Sequence, residues 1–168
     1  MFALADITFA ARRGEILGLI GPNGAGKTTL LEILSGMLPA DGGSVLWEES
    51  RLATSRRKQV MFYLPEAVTP YPDRRATDVL ALFAQLFRQP EDRLAAAIED
   101  LALSPILQTR VSALSKGYRR RLLLALGLLA RQPLIMIDEP FDGLDLKQTR
   151  EVMGVLRRLC GADRTLLL

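Results

Sequence analysis

Three short stretches hold residues whose types and spacing can do chemistry. Gly21-Pro22-Asn23-Gly24-Ala25-Gly26-Lys27-Thr28 fits G-x-x-x-x-G-K-[ST]. In such a loop the glycines let backbone N–H groups turn inward around phosphate oxygens, the lysine reaches the β- and γ-phosphates, and the threonine hydroxyl offers a ligand to Mg²⁺. The second stretch, Asp138-Glu139, closes the apolar run Leu134-Ile135-Met136-Ile137. One carboxylate there can hold Mg²⁺ while the next orients or deprotonates an attacking water, the two acidic tasks of nucleotide hydrolysis. The third stretch is Leu114-Ser115-Lys116-Gly117-Tyr118. Ser115 suits a helix N-cap and Gly117 bares the backbone at the positive end of the helix dipole, a second place where an anion is stabilised. No Asn-Lys-x-Asp tetrad accompanies these stretches, so guanine specificity is disfavoured.

The elements that must position these groups follow from hydrophobic periodicity. Glu15 to Ile20 reads as a strand, and Thr29 to Leu34 as a helix that stops near Ser35-Gly36 with Pro39 beyond. The phosphate loop thus lies between a strand and a helix. Gly42 to Trp47 reads as a turn into an exposed strand, and Val60 to Leu64 as a buried strand halted by Pro65. From Thr77 the pattern turns helical, with Val79, Leu80, Leu82, Phe83, Leu86 and Phe87 at helical spacing and Phe83, Leu86 and Phe87 expected in the core. A second amphipathic stretch runs from Pro90 to Leu103, and a third helix from about Lys116 to Ala130. Leu134 to Ile137 is a continuous apolar strand of the kind found in parallel sheets, placing Asp138 at the carboxyl end where open α/β sheets bind ligands. A helix over Asp145 to Leu159 and a strand from Thr165 complete an α/β order with an all-helical insertion at about 75–131.

Composition narrows the class. The 168 residues suit one domain with a full core. Lys+Arg 22 against Asp+Glu 19 leaves a charge of +3, too small to imply nucleic acid, and Arg119-Arg120-Arg121 reads as a solvated helix face without aromatic neighbours. Histidine is absent and Cys160 is alone, which removes disulfides, Cys/His zinc sites and any imidazole catalysis within these residues. The compartment expected is reducing and cytoplasmic.

GPNGAGKTT over 21–29, LSKGY over 114–118 in place of LSGGQ, and IMIDEP followed by Phe141-Asp142-Gly143-Leu144-Asp145 together resemble the nucleotide-binding domain of an ATP-binding cassette (ABC) ATPase. The resemblance implies a P-loop NTPase fold, with a parallel-sheet core and an inserted all-helical subdomain. It covers nearly the whole chain and reads 1–168 as a single domain cut short at both ends. It further implies that Gly21 to Thr29 bind ATP, that Lys27 serves the terminal phosphates, that Thr28 and Asp138 serve Mg²⁺, and that Glu139 is the catalytic base. Family members close head to tail, so Ser115 and Gly117 of one subunit would cap the γ-phosphate held by another, with Asp145 in the loop that crosses between them. The partners implied are a transmembrane permease subunit and a second ATP-binding domain, with the chain lying on the inner face of the membrane. Met61 to Glu66 resembles the branch serving ABC-2 type exporters.

Departures from the family pattern are specific. Glu66 stands where many members carry a glutamine that senses Mg²⁺; its carboxylate can still reach a metal. Lys116 and Tyr118 replace a glycine and a glutamine. The adenine-stacking aromatic is missing or displaced, leaving Phe2 as the nearest candidate, and no residue fills the role of the switch histidine. Two expectations follow: an ATPase subunit driving an exporter, or a degenerate cassette that binds nucleotide without hydrolysing it.

Overall fold

A computed structural model describes residues 4–66, 68–161 and 164–168. Phe2 lies outside the described residues. The chain divides into two compact units, one made of the residues through Pro65 with Gln132–Asp138 and Cys160–Leu168, the other of Glu66–Arg131 and Glu139–Leu159. The first helix of the second unit begins at Ala76, and the unit also takes in the later segment Glu139–Leu159.

The first unit is built on a parallel sheet. Its strands are β1 (Ile16–Leu17), β4 (Met61–Leu64), β5 (Leu134–Ile137) and β6 (Thr165–Leu167), in the order β1-β6-β5-β4. Register is set by Ile16 opposite Leu166, Leu134 opposite Thr165, and Met61 opposite Leu134. Ile135 to Ile137 of β5 and Leu166 and Leu167 of β6 are buried, as central parallel strands require, while Leu134 is half-buried. Helix α1 (Lys27–Ser35) packs on β4, and Leu31, Met61, Met136 and Leu167 form the core between them. A hairpin of β2 (Leu46–Trp47) and β3 (Ser50–Arg51) follows α1. β1 is shorter than the run Glu15 to Ile20 suggests, and Ile20 is fully exposed; past the paired residues, Leu168 N–H donates to the Leu17 carbonyl and Leu19 N–H to the Leu168 carbonyl. Cys160 is half-buried with its Sγ 3.2 Å from the Gly14 carbonyl, and burial pushes the thiol pKa up.

Helix α2 (Thr54–Val60) has no counterpart in the sequence reading. TSRRKQV carries no apolar stripe and no residue of it is buried, so periodicity is silent there. What fixes it is Arg57, whose guanidinium donates to the carbonyls of Ile33 and Leu34 at the end of α1. The Ile33 carbonyl also accepts from the C-cap Gly36 amide at 3.1 Å, and a cation suits that pole of the helix.

The second unit contains α3 (Ala76–Leu86), α4 (Glu91–Asp100), 3₁₀ turns at Ser104–Ile106 and Val111–Ala113, α5 (Lys116–Leu129) and α6 (Leu146–Leu159). Helices α3 and α4 pack on each other and on α5, which is buried from Arg120 through Gly127. Two expectations are corrected here. Leu86 is 67% exposed, while Phe83 and Phe87 are half-buried with ring centroids 5.9 Å apart. Arg120 and Arg121 are buried rather than solvated: Arg120 Nε donates to the Pro140 carbonyl at 3.3 Å, and Arg121 pairs with Glu151 at 3.4 Å and lies over the Tyr118 ring. A long stem lets an arginine lie among apolar residues while its head finds carbonyl and carboxylate partners, and composition alone does not reveal this. Among the described residues no helix is long and apolar enough to cross a membrane.

Candidate functional site

The phosphate loop stands between β1 and α1, with Gly21 to Ala25 exposed. Gly26 is the N-cap of α1 at φ 89°, a left-handed conformation that glycine adopts without penalty and that aims the first-turn amides out of the helix. Lys27, Thr28 and Thr29 occupy that first turn. Lys27 Nζ is folded back over the loop, donating to the Gly21 carbonyl at 3.0 Å and the Pro22 carbonyl at 3.3 Å. Its cation is thus held above the amides that would meet a phosphate.

Asp138 follows β5 and is 2% exposed. Its amide donates to the Leu64 carbonyl at 3.0 Å, extending the β4–β5 pairing by one residue. Its Oδ2 accepts a hydrogen bond from Thr28 Oγ1 at 2.7 Å. A hydroxyl from the first turn of α1 and a carboxylate oxygen from the end of β5 therefore meet. Hard oxygen donors of this kind fit Mg²⁺, which takes one or two protein oxygens and completes its shell with water and substrate phosphates.

The other expected site residues lie in the second unit. Glu139 begins a turn with φ 48°, uncommon for a residue with a side chain. Glu66 is exposed in a turn after Pro65. Ser115 caps α5, its Oγ accepting from the Tyr118 amide at 3.3 Å. Ser115, Lys116, Gly117, Tyr118 and Arg121 line a cleft of about 330 Å³ together with Gly143 and Gln148. Sequence reasoning missed the partners in this cleft. Lys116 Nζ pairs with Asp142 Oδ1 at 2.7 Å, and Gln148 accepts from the Asp145 amide while its own amide donates to Asp145 Oδ1 at 2.8 Å. Only the last of these has a sequence signal, an Asp three residues before a side chain that can reach back to it.

A parallel sheet whose first strand runs through a glycine loop into a helix, with a carboxylate from the end of another strand of that sheet on the helix's first hydroxyl, defines a P-loop nucleotide-binding protein. The model of the family described as ABC transporter matches residues 4–142, and the chain belongs to that family. It is similar to the linearmycin resistance ATP-binding protein LnrL of Bacillus subtilis, with 28% identity over 96% of this chain and 54% of that protein. It is also similar to the sulfate/thiosulfate import ATP-binding protein CysA of Xanthomonas campestris pv. campestris, with 34% identity over 94% of this chain and 48% of that protein. The chain spans about half the length of these curated relatives. Among solved structures, one titled as the ATP binding subunit of an ABC transporter superimposes with a TM-score of 0.82 at 30% identity, covering 98% of this chain and 72% of that one.

Proposed function

We propose that this chain is the ATP-binding and ATP-hydrolysing domain of an ABC-type membrane transporter, and that it works by closing head to tail on a second such domain. The observation that carries the reading is the Thr28–Asp138 hydrogen bond beside the Lys27 loop. Resemblance alone would supply the residues; the meeting of Thr28 and Asp138 supports a place there for a nucleotide's metal.

In this reading the amides of Gly21 to Thr29 receive the phosphates, and Lys27 exchanges the Gly21 and Pro22 carbonyls for phosphate oxygens. Thr28 and Asp138 would hold Mg²⁺, with Glu66 a further candidate; the ion, when bound, neutralises charge on the phosphate oxygens. Glu139 takes the proton from the attacking water. Ser115 and Gly117 of the opposing domain cap the terminal phosphate, so that two helix N-termini stabilise one developing charge from opposite sides.

The partners of this reading are a transmembrane permease subunit and a second ATP-binding domain, and the location is the cytoplasmic face of the membrane. The Met61 to Glu66 segment favours an exporter, although relatives named for import also match. A cassette that binds without hydrolysing is not favoured, because Lys27, Thr28, Asp138 and Glu139 are all present. Steady-state hydrolysis of Mg-ATP by the purified chain, with Glu139→Gln as the paired control, tests the proposal. The expected result is turnover that falls about 10²- to 10⁴-fold in the variant while ATP binding persists. Equal turnover in both proteins would remove Glu139 from the role.

A further inference from the structure

The turn after β5 holds Glu139 at φ 48°, so its neighbours must keep it there. Within the turn, the Asp142 amide donates to the Glu139 carbonyl at 3.1 Å and the Leu144 amide to the Phe141 carbonyl at 3.1 Å. At its far end Asp145 caps α6. Between these points the turn lies on the start of α5. A Cβ built on Gly143 would stand 2.6 Å from Lys116 Cγ, and one built on Gly117 would stand 3.0 Å from the Gly143 carbonyl oxygen. The stem of Lys116 therefore runs along Gly143 before its ammonium reaches Asp142 at 2.7 Å. Asp142 is the residue whose amide fastens the Glu139 backbone.

We propose that Lys116 is a positioning residue for Glu139. Its ammonium fixes Asp142, and through the Asp142 amide it fixes the backbone of Glu139, so that the carboxylate is already oriented when water is presented. The proposal rests on Glu139 being the base. A glycine at 116 could not make this link, so the lysine is a working part of the site and not only a tolerated replacement.

The test uses the whole 168-residue chain and four variants: Lys116→Met, Lys116→Arg, Glu139→Gln, and Lys147→Met as a control on another exposed ion-paired lysine of the same unit. Exchange of the Asp142 amide is read by NMR without nucleotide, and kcat and KM are measured for Mg-ATP. Lys116→Met is expected to speed that exchange about three- to fivefold, the size set by a partly exposed ion pair, and to lower kcat by a similar factor at unchanged KM. Lys116→Arg is expected to restore both, and Lys147→Met to alter neither. Unchanged Asp142 exchange in Lys116→Met overturns the proposal. So does faster exchange with parental kcat when Glu139→Gln is inactive, since the turn is then loosened without consequence for the base. Parental turnover in Glu139→Gln is a different failure: it removes the reading of Glu139 and leaves the clasp as a structural contact.

Discussion

Thr28 Oγ1 lies 2.7 Å from Asp138 Oδ2, although the two residues are 110 positions apart in the chain. This bond joins the first turn of α1 to the end of β5 and sets the spacing of the two oxygens that would share a metal. Thr28→Val keeps the shape and removes the hydroxyl. The expected outcome is nucleotide binding that no longer strengthens when Mg²⁺ is added, with a loss of about 10-fold or more in Mg²⁺-dependent affinity. Titration of a fluorescent ATP analogue with and without the metal measures it; an undiminished Mg²⁺ effect would place the ion elsewhere.

Leu31 is 1% exposed and packs with Met61, Met136 and Leu167, so it ties the helix behind the phosphate loop to the sheet. Leu31→Ala is expected to cost about 2–5 kcal/mol through lost burial and the cavity left behind. Urea denaturation followed by circular dichroism reads the loss as a lower midpoint at similar slope.

Arg57 closes the other end of that helix by donating to the Ile33 and Leu34 carbonyls. Arg57→Met keeps most of the stem and removes the donors, at an expected cost of about 1–2 kcal/mol. The same urea experiment measures it. A neutral result would mean that water satisfies those carbonyls equally well.

How much of this could be read in advance depends on how local the cause is. The phosphate loop was legible because its chemistry lies in consecutive residues, and β5 because four apolar residues between a proline and two acids admit one reading. Helix α2 was not, since it owes its position to Arg57 reaching a different helix. Arg120 and Arg121 looked like a solvated face because their partners, the Pro140 carbonyl and Glu151, are distant in sequence. The Lys116–Asp142 pair was hidden for the same reason: each residue was visible, and only folding makes them neighbours.

The sheet order has a consequence for how the molecule comes into being. β1, which leads directly into the phosphate loop, has β6 as its sheet neighbour, and Gly14 bonds the Thr165 side chain across 151 positions. During synthesis the ribosome must add those intervening residues before β1 finds its place, a delay of roughly ten to thirty seconds at ordinary elongation rates. For that interval the strand that carries the loop has no partner, and pairing over so long a separation is slow once it begins. The loop that stands out earliest in the sequence is therefore among the last segments to be fixed in place.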